Sequence, residues 1–152
     1  MRLSIASDHR GFELLEVVKN QLEDLGHEVD IQGPAQGQPC DYPDQATLVC
    51  SHLQAGSAER GVLICGTGIG MCITANKFQG IRAALALDEL SAQLSRSHND
   101  ANVLCLSGDL VGHALGRRIV DTWMRTEFEG GRHARRVEKI SQLDSNTEVT
   151  KA

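Results

Sequence analysis

Short apolar runs bounded by turn residues alternate along the whole chain with longer stretches of helical periodicity. An apolar run at 3–6 precedes a helical pattern over 12–25, one at 28–31 precedes 43–55, and one at 62–65 precedes 69–77. The rhythm continues with 82–87 before 88–97 and 103–106 before 110–126, and a last helical stretch covers 132–143. Gly26 stands where a helix ends in the left-handed conformation, Pro43 in a first turn, and Asp88 where an N-cap belongs.

Five strand-helix units predict an α/β fold. The expected architecture is a Rossmann-like three-layer α/β/α arrangement with a five-stranded parallel sheet and an extra C-terminal helix. Residues 1–143 read as one domain, and 144–152 as a polar tail that frays. Segment 32–40 (QGPAQGQPC), with two prolines and two glycines, reads as a surface loop. Ligands collect outside the carboxyl ends of the strands in such sheets. Three groups are expected there: Ser7-Asp8-His9 after the first strand, Cys65 to Gly70 after the third, and Ser97-His98-Asn99-Asp100 between the fourth and fifth.

Composition narrows the function classes. Only five aromatic residues are present, so the core must be aliphatic and a base-stacking platform for single-stranded nucleic acid is not expected. A net charge of −5 argues against a broad basic footprint for nucleic acid or acidic membrane. No apolar run approaches the roughly 18 residues that a membrane span requires, and the first residues do not read as an export signal. A soluble cytoplasmic protein is expected, with its five cysteines as free thiols. Cys50, Cys72 and Cys105 sit in apolar stretches and read as core fillers. His27, His52, His113 and His133 have no metal-like spacing among themselves and read as surface residues, and neither a metal nor a cofactor is expected.

The chemistry concentrates in VLICGTGIGM. Gly66, Gly68 and Gly70 lie between a buried strand and a helix start, where backbone N–H groups converge on one point free of side chains. Such a cradle suits an anion or oxyanion and favours the thiolate of a cysteine at its edge. A dinucleotide fingerprint would require Gly at 71, and a cysteine-phosphatase loop would require Arg there; both meet Met71. An inert thiol in a glycine-rich turn competes with a base beside an oxyanion hole, the arrangement that enolisation requires. His98 reads either as a loop histidine or as an acid-base group able to open a sugar ring. Arg132 and Arg136, four residues apart, share a helix face that either grips a phosphate or is a solvated basic face paired with Glu138, while Arg135 points elsewhere. His9, beside Asp8, could assist a phosphate or a sugar hydroxyl.

Taken together, SDHRGF (7–12), DYPDQA (41–46), ICGTGIGMCITANK (64–77), SAQLSRSHNDANVL (91–104) and FEGGRHARRVEKI (128–140) resemble the type B ribose-5-phosphate isomerases, whose wider family includes galactose-6-phosphate isomerases. The resemblance implies Cys65 as catalytic base, Thr67 and His98 as ring-opening residues, and Gly66, Gly68, Ile69 and Gly70 as the enediolate cradle. It implies substrate contacts at Asp8, His9, Tyr42, Asn99, Arg132 and Arg136, with His9 and the two arginines at the phosphate. It also implies a homodimer or homotetramer with the site at the subunit interface, acting on a small phosphorylated sugar without metal. Ribose 5-phosphate is the first expectation, a tetrose, allose or galactose phosphate the alternative, and a noncatalytic phosphosugar sensor a more distant one. One position departs from the pattern. Many members carry a phosphate-holding arginine after the fifth strand, where this chain has Asp109. Either Asp109 points away from the phosphate, or another substrate is handled with fewer phosphate contacts.

Overall fold

The computed structural model describes residues 1–34 and 38–145. The strands are β1 (Arg2–Ser7), β2 (Glu28–Gln32), β3 (Arg60–Cys65), β4 (Ala83–Leu85) and β5 (Val103–Ser107). The helices are α1 (Phe12–Asp24), α2 (Tyr42–Gln54), α3 (Ile69–Ala75), α4 (Glu89–Ser97), α5 (His113–Arg125) and α6 (Arg132–Ser145). All strand pairs are parallel, in the order β2-β1-β3-β5-β4. The three-layer α/β/α architecture expected from the periodicity is therefore present.

Alternation along the central strands feeds two cores. Leu3 and Ile5, Val62 and Ile64, and Leu104 and Leu106 face α1 and α5 together with Trp123. Ala6, Leu63 and Cys65, and Val103 and Cys105 face the side of α2 and α3 with Val49, Cys50 and Met71. Every second residue goes to the opposite face, and both faces are covered, so β3 and β5 are apolar over most of their length, whereas the edge strand β2 is largely polar and exposed. Cys50 and Cys105 are fully buried fillers, whereas Cys72 is only half buried.

Most element boundaries agree with their punctuation. Asp88 caps α4 by accepting from the Ser91 N–H at 2.6 Å, Pro43 sits in the first turn of α2, and Gly26 adopts φ +82° just past α1. Three expectations shift. β4 is only three residues long, as suits an edge strand. Helix α5 starts at His113 rather than 110, because Leu110 and Val111 turn back onto Ser107. Helix α6 continues through the first residues expected to fray: Asp144 lies within it and accepts from the Gly80 N–H at 2.8 Å. The remainder of the expected tail, 146–152, lies outside the described residues, as do 35–37 of the loop. Among the described residues, no helix is long and apolar enough to cross a membrane.

Candidate active site

Strand order reverses between β1 and β3, and the residues leaving those strands meet there. The Asp8 N–H donates to the Ile64 carbonyl at 3.1 Å, while Asp8 Oδ1 accepts from the N–H groups of Arg10 (2.9 Å) and Gly11 (3.1 Å). Asp8 is thereby fixed and buried beside the Cys65 loop, and His9 points to solvent.

Cys65 ends β3 with its side chain nearly buried at 4% exposure, and its Sγ accepts from the Gly68 N–H at 3.2 Å. Gly68 has φ +76°; a Cβ there would stand 2.5 Å from Leu85 Cδ1 and 2.9 Å from the Leu106 carbonyl oxygen. Only glycine suits both the conformation and the space. Gly70 lies under the Tyr42 ring, where a Cβ would come within 2.6 Å of Cε2, so Tyr42 walls the cradle. Thr67 stands exposed at the rim, its Oγ1 accepting from the Ile69 N–H at 3.3 Å. From β5, Ser107 Oγ and the Asp109 N–H both donate to the Gly66 carbonyl, at 2.6 and 3.0 Å, and hold the loop from behind.

The other group of expected residues lies elsewhere. His98 is the C-cap of α4, and Asn99 begins the turn into β5. That turn reaches the sheet at its amino end: the Asn102 carbonyl accepts from the Gly61 N–H, and Gly61 pairs with Val103, whereas Cys65 pairs with Ser107. Gly61 and Cys65 are four residues apart on β3, a separation along the sheet of about 13 Å. The expectation that His98 and Asn99 gather with Cys65 at the carboxyl ends of the strands is corrected: α4 carries the chain back to the opposite end before they occur.

His98 does gather with α6. Its ring stacks on His133 with centroids 4.1 Å apart and planes at 7°. His133, expected on the surface, is 6% exposed, and burial followed by the neighbouring charges of His98 and Arg132 holds its imidazole below the usual histidine range. Arg132 and Arg136 flank this stack, exposed and making no ion pair with Glu138 or any other described residue. Arg135 is exposed as well. The turn carrying His98 and Asn99 is clamped from beneath. Asp100, at φ +47°, accepts from Arg96 (2.8 Å) and Arg82 (2.9 Å), and Arg82 Nε also donates to the Asn99 and Asp100 carbonyls. Arg96 is itself buried against Trp123.

Glu129 completes a group with His98 and His133 whose ligand atoms lie within 4.8 Å of one another. The stacked rings are poorly set for a shared cation, since the lone pairs of parallel imidazoles run side by side instead of converging.

The family model described as Ribose/Galactose Isomerase matches residues 3–140. The chain belongs to this family. Within it, the chain is 49% identical to the probable ribose-5-phosphate isomerase B of Mycoplasma pneumoniae, over 90% of each chain. It is 40% identical to the D-erythrulose-4-phosphate isomerase of Pectobacterium atrosepticum, over 95% of each chain. The solved structure of ribose-5-phosphate isomerase B from Mycoplasma genitalium, with bound ribulose 5-phosphate, aligns with a TM-score of 0.91 at 42% identity, covering 96% of this chain and 97% of that one.

Sequence reading passed over Arg96 and Arg10, placed Asp100 at the wrong end of the sheet, and left His133 on the surface. A usable signal existed for Asp100. Residues that follow a helix and precede a parallel strand lie at the amino end of the sheet, so a helix packing there joins them. Asp109 points to Arg10, which it meets at 2.5 Å across the mouth of the cradle.

Proposed function

We propose that the chain is an aldose-ketose isomerase interconverting ribose 5-phosphate and ribulose 5-phosphate without metal or cofactor, in a site completed by a second copy of the chain. The observation that carries the chemistry is the Cys65 sulfur, seated under a glycine cradle and accepting an N–H. Thr67 and His98 move protons at the ring oxygen and the anomeric hydroxyl to open the sugar. The Cys65 thiolate then takes the proton from C2, the C–H electrons form a C1–C2 double bond as the C1 carbonyl pair moves onto O1, and O1 and O2 lie cis in an enediolate. The cradle N–H groups stabilise negative charge on these oxygens. The proton on O2 passes to O1 as the O2 carbonyl forms, and the Cys65 thiol returns its proton to C1. The hydrogen removed from C2 is thus accounted for at C1, and no external oxidant or reductant is involved.

The second copy is called for by the separation of Cys65 and His98 at opposite ends of one sheet. A two-fold axis perpendicular to the strands sets the amino end of one chain against the carboxyl end of its partner. It would place His98, Asn99, Arg132 and Arg136 of one copy over Cys65, Thr67, Asp8 and Tyr42 of the other, with the arginines and His9 on the phosphate. Exposed apolar residues flank the short edge strand β4 and suit such an interface: Ile69 and Ile73 on α3 are 52% and 59% exposed, and Leu90 on α4 is 63% exposed. Five free thiols fit a reducing, cytoplasmic setting.

A tetrose phosphate is the second reading, because a relative at 40% identity is named for D-erythrulose 4-phosphate. The deciding assay offers phosphorylated tetroses, pentoses and hexoses to the enzyme in the presence of chelator. Turnover of ribose 5-phosphate unaffected by chelator is expected. Cys65→Ala should cut kcat by about a thousandfold while the variant stays folded. Near-normal turnover by that variant would exclude Cys65 as the base, and loss of activity with chelator would exclude a metal-free reaction.

A further inference from the structure

The Arg10–Asp109 pair lies directly on the cradle. A Cβ placed on Gly66 would stand 2.9 Å from Asp109 Oδ2, 3.0 Å from Arg10 Nε and 3.2 Å from Arg10 Cδ. The Arg10 side chain is 59% exposed and that of Asp109 33%. One guanidinium nitrogen is taken by Asp109, and no other described acceptor engages the rest of the fork. Both residues are anchored by backbone: the Arg10 N–H donates to Asp8 and the Asp109 N–H to the Gly66 carbonyl. A cation with spare donors is therefore held between Asp8 and the Cys65 loop, beside His9. We propose that Arg10 is a phosphate-binding residue of this site and that Asp109 is its positioning carboxylate. The inference rests on the phosphosugar reading above, and it resolves the charge problem at 109: the carboxylate there is neutralised by a guanidinium from the β1–α1 turn.

The geometry has a definite electrostatic consequence. With both residues present, the rim carries no net charge but offers a directed fork, which suits planar, bidentate recognition of phosphate oxygens. Without Arg10, a bare carboxylate faces the dianion. With Ala at 10 and Asn at 109, the rim is neutral and offers only an uncharged amide donor. Phosphate affinity should therefore rank wild type above the double variant, and the double variant above the single arginine variant.

The test measures binding of inorganic phosphate by calorimetry, and KM and kcat for ribose 5-phosphate, in wild type, Arg10→Ala, Arg10→Lys and Arg10→Ala/Asp109→Asn. Arg10→Ala should weaken phosphate binding and raise KM by about tenfold, the worth of one charge-assisted contact, with the loss falling on KM rather than kcat. Arg10→Lys should recover part of the affinity, and adding Asp109→Asn to Arg10→Ala should recover part as well. Phosphate affinity and KM within about twofold of wild type in Arg10→Ala would reduce the pair to an ordinary surface ion pair, worth little in binding. Equal losses in the single and double variants would show that the Asp109 carboxylate does not face the phosphate. Failure of the parent reading looks different: wild type would isomerise no sugar phosphate, and the calorimetric ranking would still decide the fate of Arg10.

Discussion

Gly68 shows how much of this site depends on one residue. It supplies the N–H that meets the Cys65 sulfur, does so from the left-handed region, and sits against the β5 backbone, which cannot retreat. Gly68→Ala should cost about 2–3 kcal/mol in chemical denaturation and should lower turnover further by displacing that N–H; a variant as stable and active as wild type would show that the loop tolerates a Cβ. The thiols illustrate the same dependence on surroundings. Burial alone pushes Cys50 up to about 11, and burial with nearby carboxylates, Asp8 foremost, raises Cys40. The Cys105 thiol, donating to Cys72, brings Cys72 down to about 7. Cys72 was expected to be an inert filler, and its half-buried place beside Cys105 was invisible because the two cysteines lie on different elements.

At the scale of elements, α6 turns a loop histidine into an organised one. His98 alone would cap α4 in solvent; with His133 stacked on it, the ring is held against the helix that carries Arg132 and Arg136. Burial, followed by the neighbouring charges of His98 and Arg132, lowers the proton affinity of His133 in the folded state below that of the unfolded chain. As pH falls through about 6.5, the unfolded chain therefore takes up protons before the native one does, and stability declines. Urea midpoints measured near pH 7.5 and pH 5 should fall together with pH in wild type and fall less in His133→Asn, though His27, also lowered by burial, keeps some of the slope. An identical slope in the variant would mean that His133 titrates normally. The local elements were legible in the chain because caps, glycines and periodicity are local signals, as Asp88 and Gly26 demonstrate. The placement of His133 was not, because its partners come from α4 and the sequence pattern of α6 carries no mark of what it packs against.

At the scale of the molecule, the cradle could be read from VLICGTGIGM, since strand, glycines and cysteine are contiguous, while the separation of His98 from Cys65 could not be read from spacing. His98 and Cys65 look like neighbours in a scheme where all functional residues follow strands, yet the crossover through α4 returns the chain to the amino end of the sheet. A shared site has a consequence that no single-chain site has. Cys65→Ala and His98→Asn should each be inactive on a cyclic sugar phosphate, the first for want of a base and the second for want of ring opening. If each site takes Cys65 from one copy and His98 from the other, a mixed dimer of the two variants contains one site with both residues intact and one site with neither. Random reassortment after mild denaturation and refolding of an equal mixture makes half of the dimers mixed, so activity should return to about a quarter of wild type. A site built within one chain would leave the mixture as inactive as its parts, because every copy would lack one of the two groups. Carrying the complementing mixture on an open-chain tetrose phosphate separates the two roles further: His98→Asn should already be active there, so reassortment should add little, whereas Cys65→Ala should remain silent on either substrate.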